Sequence, residues 1–251
     1  TVTVTTSSPH GYTTGNSFLF YFKTGGALDG TYTITVTSTT TFTLTTVASG
    51  TISTSNVDIY SSYAPVAQYI TIVRDFVVLG NVGGTPNKVQ WSDINDETKW
   101  TSGAASQSDF QIIADGGDIH GITGGEFGLI FLNKAIVRMS YIGSPFFFQF
   151  DTISRGLGCV EGNSIAQYGG ISYFLSDDGF YACDGHAITP IGLDKVDKTF
   201  YKDADLTKLD TISTAVDPVR KVVIWNYANT SGSRTLLIYN WLVINIKIAT
   251  C

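Results

Sequence analysis

Charge is scarce in this chain. Only 14% of its 251 residues are Asp, Glu, Lys or Arg, well below the usual quarter. Helices with solvated outer faces need more charge than that, so the composition, with 26 glycines, favours many short, largely buried strands over helices. The formal net charge is −6, and no Lys/Arg stripe of the kind that grips a phosphate backbone is present. Histidine is nearly missing. His10, His120 and His186 each sit beside a glycine, without a second His or Cys at ligand spacing, which favours structural or solvent roles over metal ligation. Three cysteines, Cys159, Cys183 and Cys251, are too few for a disulfide framework. Cys159 and Cys183 either approach each other or stand as buried thiols. Apolar runs such as 127–132 are far too short to span a bilayer, and no secretory leader is visible. The chain does not open on Met and stops within an apolar run, so it reads as part of a longer protein or as its ordered portion.

Nucleotide and hydrolase signatures are missing as well. No phosphate-cradling or dinucleotide glycine loop occurs. Gly162-Asn-Ser-Ile-Ala166 fails as a nucleophile elbow, because it lacks the last Gly and falls where a strand should begin. No catalytic, cofactor-binding or metal-binding residue is therefore assigned, and no cofactor is implied.

What the chain does have is a period. Four tight turns, at Arg74-Asp75, Gly125-Glu126, Gly169-Gly170 and Asp217–Arg220, recur roughly every 44–51 residues and each joins two strands. The second strand of each pair is strongly apolar: 76–79, 127–132, 171–175 and 221–225. Consecutive rather than alternate apolar residues mean that both faces of such a strand are covered. Third and fourth strand-like runs follow, among them Lys88–Trp91, Ala135–Tyr141, Phe146–Phe150, Gly179–Cys183, Ala187–Ile191, Thr235–Tyr239 and Val243–Ile248. Four short strands per repeat predict an all-β chain of β-propeller-type blades over 67–251, part of a larger propeller. Asp194–Tyr201 is the one good helix candidate, with Val196 and Phe200 on one stripe. The segment 92–100 reads as a turn or one loop of helix, and Ser176-Asp-Asp-Gly179 as a hairpin whose Asp-Gly pair supplies the positive-φ positions.

Residues 1–55 differ. Nineteen of the first 54 are Thr, and Thr alternates with Phe, Ile and Val between Gly, Asn and Asp turns. That pattern predicts a small antiparallel sheet or barrel, solvated on its Thr face, with Phe18, Phe20, Phe22, Ile34, Val36, Phe42 and Leu44 inside. Residues 56–66 read as a connector.

Carboxylates cluster at Asp115-Gly-Gly-Asp118 and Asp177-Asp178, and the first cluster is a candidate for paired-carboxylate chemistry or a hard cation. Sequence neighbours rarely face each other across a substrate, so turn geometry is the preferred reading. Phe146-Phe-Phe148 is either an inserting tip or, preferred here, the alternate apolar positions of a fourth strand.

Three ordered stretches carry a resemblance. They are Asp75–Asn81 with Lys88–Ser92, Asp115–Phe131 with Arg138–Gly143, and Phe148–Gly158 leading to Phe174–Tyr181 and Pro190-Ile-Gly192. Together these resemble the tail nozzle (tail hub, or tail tubular protein B type) of short-tailed bacteriophages. The likeness runs over about 70–200 and more loosely over 210–248; Trp241–Lys247 departs from the expected polar, Trp-ending fourth strand. The resemblance implies a structural, non-enzymatic virion protein of the tail, assembled in the host bacterial cytoplasm. It implies a homo-oligomeric, sixfold ring beneath an adaptor protein, with tail fibres or spikes nearby and viral DNA passing through the lumen without specific binding. An acidic chain suits such a conduit, since like charge repels phosphate. The rival expectation is a carbohydrate-binding or glycan-cleaving propeller for host receptor recognition, with exposed Trp or Tyr platforms such as Trp91 or Trp100.

Overall fold

The structure is a computed structural model, and it describes residues 1–23, 26–46, 57–60, 64–100, 102–103 and 106–250. Two compact units emerge, one of Thr1–Pro65 with Ser92–Asp109, the other of Val66–Trp91 with Phe110–Cys251.

In the first unit β1 (Val2–Thr5), β2 (Ser17–Phe22), β3 (Gly30–Thr33), β4 (Thr35–Val36), β5 (Thr41–Leu44) and β6 (Val57–Tyr60) make two three-stranded sheets, ordered β1-β5-β4 and β3-β2-β6. Register explains the Thr alternation. Thr3 pairs with Thr43 and Thr5 with Thr41 on the solvent side, while Val4 pairs with Phe42 inward. Val4, Phe18, Phe20, Ile34, Phe42 and Leu44 form the core, with Phe20 and Phe42 fully buried. So the Thr residues stay wet while the intervening aromatics are dry. β6 pairs with β2, Phe22 opposite Val57, which places a strand in the segment read as connector. In Ser92–Asp109 the Asp93 carboxylate accepts from the amides of Ile94 and Gln107, holding a turn in which Trp100 is buried.

The second unit contains four four-stranded antiparallel sheets in succession. They are built from β7 (Ala67–Val73), β8 (Phe76–Val82), β9 (Thr85–Trp91) and β10 (Asp109–Ile112); β11 (Ile119–Thr123), β12 (Phe127–Leu132), β13 (Ala135–Gly143) and β14 (Phe147–Arg155); β15 (Ala166–Tyr168), β16 (Ile171–Leu175), β17 (Phe180–Cys183) and β18 (Ile188–Pro190); and β19 (Ser213–Asp217), β20 (Val222–Ala228), β21 (Arg234–Asn240) and β22 (Asn245–Thr250). Each sheet is a meander whose spatial order follows chain order. β10, the fourth strand of the first sheet, escaped the sequence reading because 92–109 intervenes and Asp-Phe-Gln-Ile has no marked pattern. Among the described residues the chain is all-β, apart from α1 (Asp197–Asp203) and two short 3₁₀ turns, Gly162–Ser164 and Leu206–Thr211. The helix begins three residues later than the expected Asp194, because Gly192 to Val196 form a turn onto Phe180 first.

The sheets pack serially through their faces, calling the face toward the next sheet leading and the other trailing. Phe76 and Trp91 of the first sheet meet Phe148 of the second edge to face, with centroids at 5.0 and 5.1 Å. Leu129, Phe131 and Ile136 of the second share a core with Phe174 and Cys183 of the third. Tyr173, Leu175 and Phe180 of the third share another with Val223, Trp225, Tyr227, Leu237 and Tyr239 of the fourth. This explains the unbroken apolar runs. In β16, Tyr173 and Leu175 point to one neighbour and Phe174 to the other, and all three are buried. Beyond the fourth sheet the rule changes: β21 alternates strictly, Thr235, Leu237 and Tyr239 buried but Leu236, Ile238 and Asn240 half-exposed.

Glycines set how close neighbouring sheets come. A Cβ on Gly124 would lie 2.0 Å from the Ile72 carbonyl oxygen, and one on Gly162 would lie 2.0 Å from that of His120. Only hydrogen fits there.

Candidate functional site

Each histidine is committed to the scaffold. His120 Nδ1 lies 2.9 Å from the Val160 carbonyl and its Nε2 2.7 Å from the Asn133 amide nitrogen. With Nδ1–H donating and Nε2 accepting, the ring ties the second sheet to the segment entering the third. His10 accepts the Tyr12 amide at Nδ1 and donates to Ser38. His186 Nε2 accepts from Arg138 Nη1 at 2.8 Å. Among the described residues no group of three or more His, Cys, Asp or Glu could hold a metal ion.

Asp115 and Asp118 are exposed, separated by Gly116 and Gly117 at positive φ. Those glycines press the loop against the β12–β13 turn: a Cβ on Gly116 would lie 2.5 Å from that of Ala135. Asp115 also borders an open cleft of about 480 Å³, lined further by Lys134, Val137, Phe150 and Arg155. Asp177 pairs with Lys134, which holds its carboxyl below the ordinary carboxylate range, and Asp178 accepts the Tyr181 hydroxyl at 2.9 Å. These two neighbours therefore serve different partners rather than one substrate. The 176–179 hairpin differs from expectation in its backbone, since Asp178 does not adopt positive φ. Gly179 is needed for room instead: a Cβ there would lie 2.3 Å from Asp197 Oδ2.

Asp197 was not legible as special. It sits in the first turn of α1, is 7% exposed, and accepts the Phe180 amide at 3.2 Å. Burial raises its pKa, with Asp178 adding to the shift and the Phe180 hydrogen bond opposing it. A folded-state pKa above the unfolded one means that ionisation works against folding. The contribution is favourable in acid and is lost as pH rises from the ordinary Asp value through the raised one. Asp197→Asn keeps an acceptor for Phe180 and cannot ionise. It should melt higher than wild type at pH 7, with the gap closing as pH falls toward 4 in a thermal-shift series. A lower melting temperature at pH 7 would refute this.

Arg138 is the other residue the sequence did not flag. Its guanidinium crosses from the second sheet to the third, 4.4 Å from the centre of the Phe127 ring, while Nε is buried without an acceptor. A cation on an aromatic face with an imidazole acceptor fits a fastening between sheets.

Cys159 and Cys183 are both free and buried, within the core shared by the second and third sheets. Burial pushes the Cys159 thiol up to about 12, although it hydrogen-bonds with the Ser164 hydroxyl and donates to the Glu161 carbonyl, and raises Cys183 as well. In a Cys251→Ser background, a disulfide reagent at pH 8 should label neither thiol in the native protein and both after unfolding.

The aromatics divide. Trp91 and Trp100 are 3% and 5% exposed, which removes both as the surface platforms that glycan recognition would use. Phe148 is buried but Phe146 stands 74% exposed at the β13–β14 turn, so the Phe triplet is part core and part tip. Leu242, Val243 and Ile244 crown the β21–β22 turn at 73%, 65% and 64% exposure.

No protein-family model matches the chain, and no curated protein matches it. Among solved structures it is similar to a presumptive exported protein of Bacteroides fragilis NCTC 9343, at 11% identity and a TM-score of 0.36, over 99% of this chain and 75% of that one. So low a score carries no inference about fold or function.

Proposed function

We propose that this chain is a structural part of a short-tailed bacteriophage tail. In that reading it is a nozzle subunit that assembles with copies of itself into a ring, sixfold by the family pattern. The ring continues the DNA-ejection channel between the adaptor and the fibres or spikes. The resemblance in Asp75–Asn81, Asp115–Phe131 and Phe148–Gly158 supplies the family. The observation that carries the reading is the serial stack of four meander sheets, in which His120, His186, Asp177 and Asp178 are tied to scaffold partners. Such a body acts through its surfaces. The net charge of −6 suits a lumen that DNA slides past, because fixed negative charge offers phosphate no grip. No catalytic step, cofactor or metal is assigned.

Electron microscopy of the complete protein mixed with its adaptor tests the proposal. Rings with a central channel are expected, together with no measurable retention of duplex DNA at physiological salt. A monodisperse monomer in the adaptor's presence would sink it.

A further inference from the structure

Neighbouring strands of each meander run antiparallel, so the turn between its first and second strands and the turn between its third and fourth lie at the same end of the sheet. Contacts between such turns carry that end along the series. The Gly125 amide donates to the Ile72 carbonyl and the Arg74 amide to the Gly125 carbonyl. The Gln167 side chain donates to the Gly124 carbonyl at 2.6 Å, and the Tyr168 ring lies 5.2 Å from that of Trp241. One end of the four-sheet unit therefore gathers both exposed tips, Phe146 of the second sheet and the Leu242-Val243-Ile244 crown of the fourth. Val219, 89% exposed, stands in the turn beside the crown, where the Trp241 amide donates to the Lys221 carbonyl.

We propose that this end rests on a membrane surface rich in anionic lipid, with the crown inserted among headgroups and upper acyl chains and Phe146 as a second contact. The crown is held outward. Asn240 Oδ1 accepts from the amides of Leu242 and Val243, and Lys195 Nζ donates to the Ile244 carbonyl at 3.2 Å. Ile244 keeps a left-handed φ of 50°, which is unfavourable for a β-branched side chain. Backbone strain combined with three aliphatic side chains in water points to a functional constraint on this turn.

The chemistry of the end favours lipid over a protein partner. Its tips are aliphatic apart from one phenylalanine, whereas protein hot spots are built from Trp, Tyr and Arg seated in pockets. The tips also stand on separate sheets, which suits a continuous apolar layer better than a single pocket. Trp241 is half-buried at the base of the crown, against Tyr168 and Tyr173, where amphipathic rings serve an interfacial belt. Lys195 and Lys221 flank the crown, and among the described residues neither pairs with an acid. The acids of the same loops, Asp194 and Asp217, are paired with Lys198 and Arg220. Asp75, Glu126 and Asp184 lie on turns of the first three sheets instead. Inserted apolar side chains beside unpaired lysines give a peripheral contact that strengthens with anionic lipid. This inference goes beyond the ring reading and does not rest on it.

The test floats the complete protein with vesicles of phosphatidylcholine, alone or mixed with about one-third phosphatidylglycerol. Wild type should float with the anionic vesicles. Trp91, Trp100 and Trp225 are buried, so Trp241 is the reporter: its emission should move to shorter wavelength and be quenched by lipids brominated in the acyl chain. Val243→Glu with Ile244→Asn should weaken binding roughly tenfold or more at unchanged circular dichroism. Lys195→Gln with Lys221→Gln should remove roughly tenfold of the preference for anionic over neutral vesicles, and Phe146→Ser should give a smaller loss than the crown variant. If the crown variant disturbs folding, quenching of wild-type Trp241 by brominated lipid decides in its place. Wild type that stays off the vesicles at every lipid concentration overturns the proposal, as does binding that the crown variant leaves intact. So does a wild type that ignores vesicles while the crown variant loses self-association or adaptor binding, which would mean that protein covers this end. Rings formed by a wild type that ignores vesicles overturn this inference alone and leave the ring reading standing.

Discussion

Replacing Trp225 with alanine should destabilise the second unit by about 3–5 kcal/mol, the cost of deleting a large buried aromatic and leaving its cavity. Trp225 is fully buried. Its ring lies 4.8 Å from that of Phe180 in the third sheet, and its Nε1–H donates to the Ser164 carbonyl at 2.8 Å. The substitution thus removes a buried ring contact between the third and fourth sheets together with the indole donor to a backbone carbonyl. Trp225→Phe should recover much of the packing but not the hydrogen bond, and fall between. Urea denaturation of the three proteins measures the series. A loss below about 1 kcal/mol for the alanine variant would show that the two sheets are not held through this residue.

The second large effect comes from adding a single methyl group. Gly162→Ala would put Cβ 2.0 Å from the His120 carbonyl oxygen, and Gly124→Ala would put it 2.0 Å from that of Ile72. Neither oxygen belongs to a side chain that could swing away, so two sheets must separate. A cost of about 3 kcal/mol is expected for each, against tenths of a kcal/mol for Gly169→Ser, whose Cβ would meet open space, beyond the strain of its positive φ. Melting temperatures of the three variants give the comparison. Equal effects would mean that close approach does not set the glycine requirement.

Much of this architecture was legible because burial on both faces writes itself as consecutive apolar residues. Phe127–Leu132 and Ile171–Leu175 could be read as strands between layers with no further information. The Thr alternation of 1–46 was equally plain, since its period of two matches one wet and one dry face. β10 was hidden because its partner strand lies across a long excursion, and Phe110 and Ile112 are both about half-exposed. β6 was hidden by its brevity. Asp197 could not have been singled out, because its environment is made by Gly179 and Gly192, which are close in space through a turn the sequence does not mark. The last strand begins at Asn245 rather than at the expected Val243, because Val243 and Ile244 belong to the exposed tip of the hairpin.

Ionisation should pull stability two ways in acid. Asp205, held by the Thr207 hydroxyl and Lys208, is lowered to about 2, and Asp96, Asp184 and Asp217 are lowered by their own turn contacts. Their support is present above the ordinary carboxylate range and disappears as pH falls through their depressed values, opposite in sign to Asp197. The difference between wild type and Asp197→Asn isolates the one from the others.

Within the four-sheet unit every ladder closes inside its own sheet, and only side chains and a few turn contacts join one sheet to the next. Drawn out by its ends in an optical trap, such a chain should surrender in instalments, one meander per rupture. Damage at one point would stay local, and a body built this way can yield at its margin while the remainder keeps its shape.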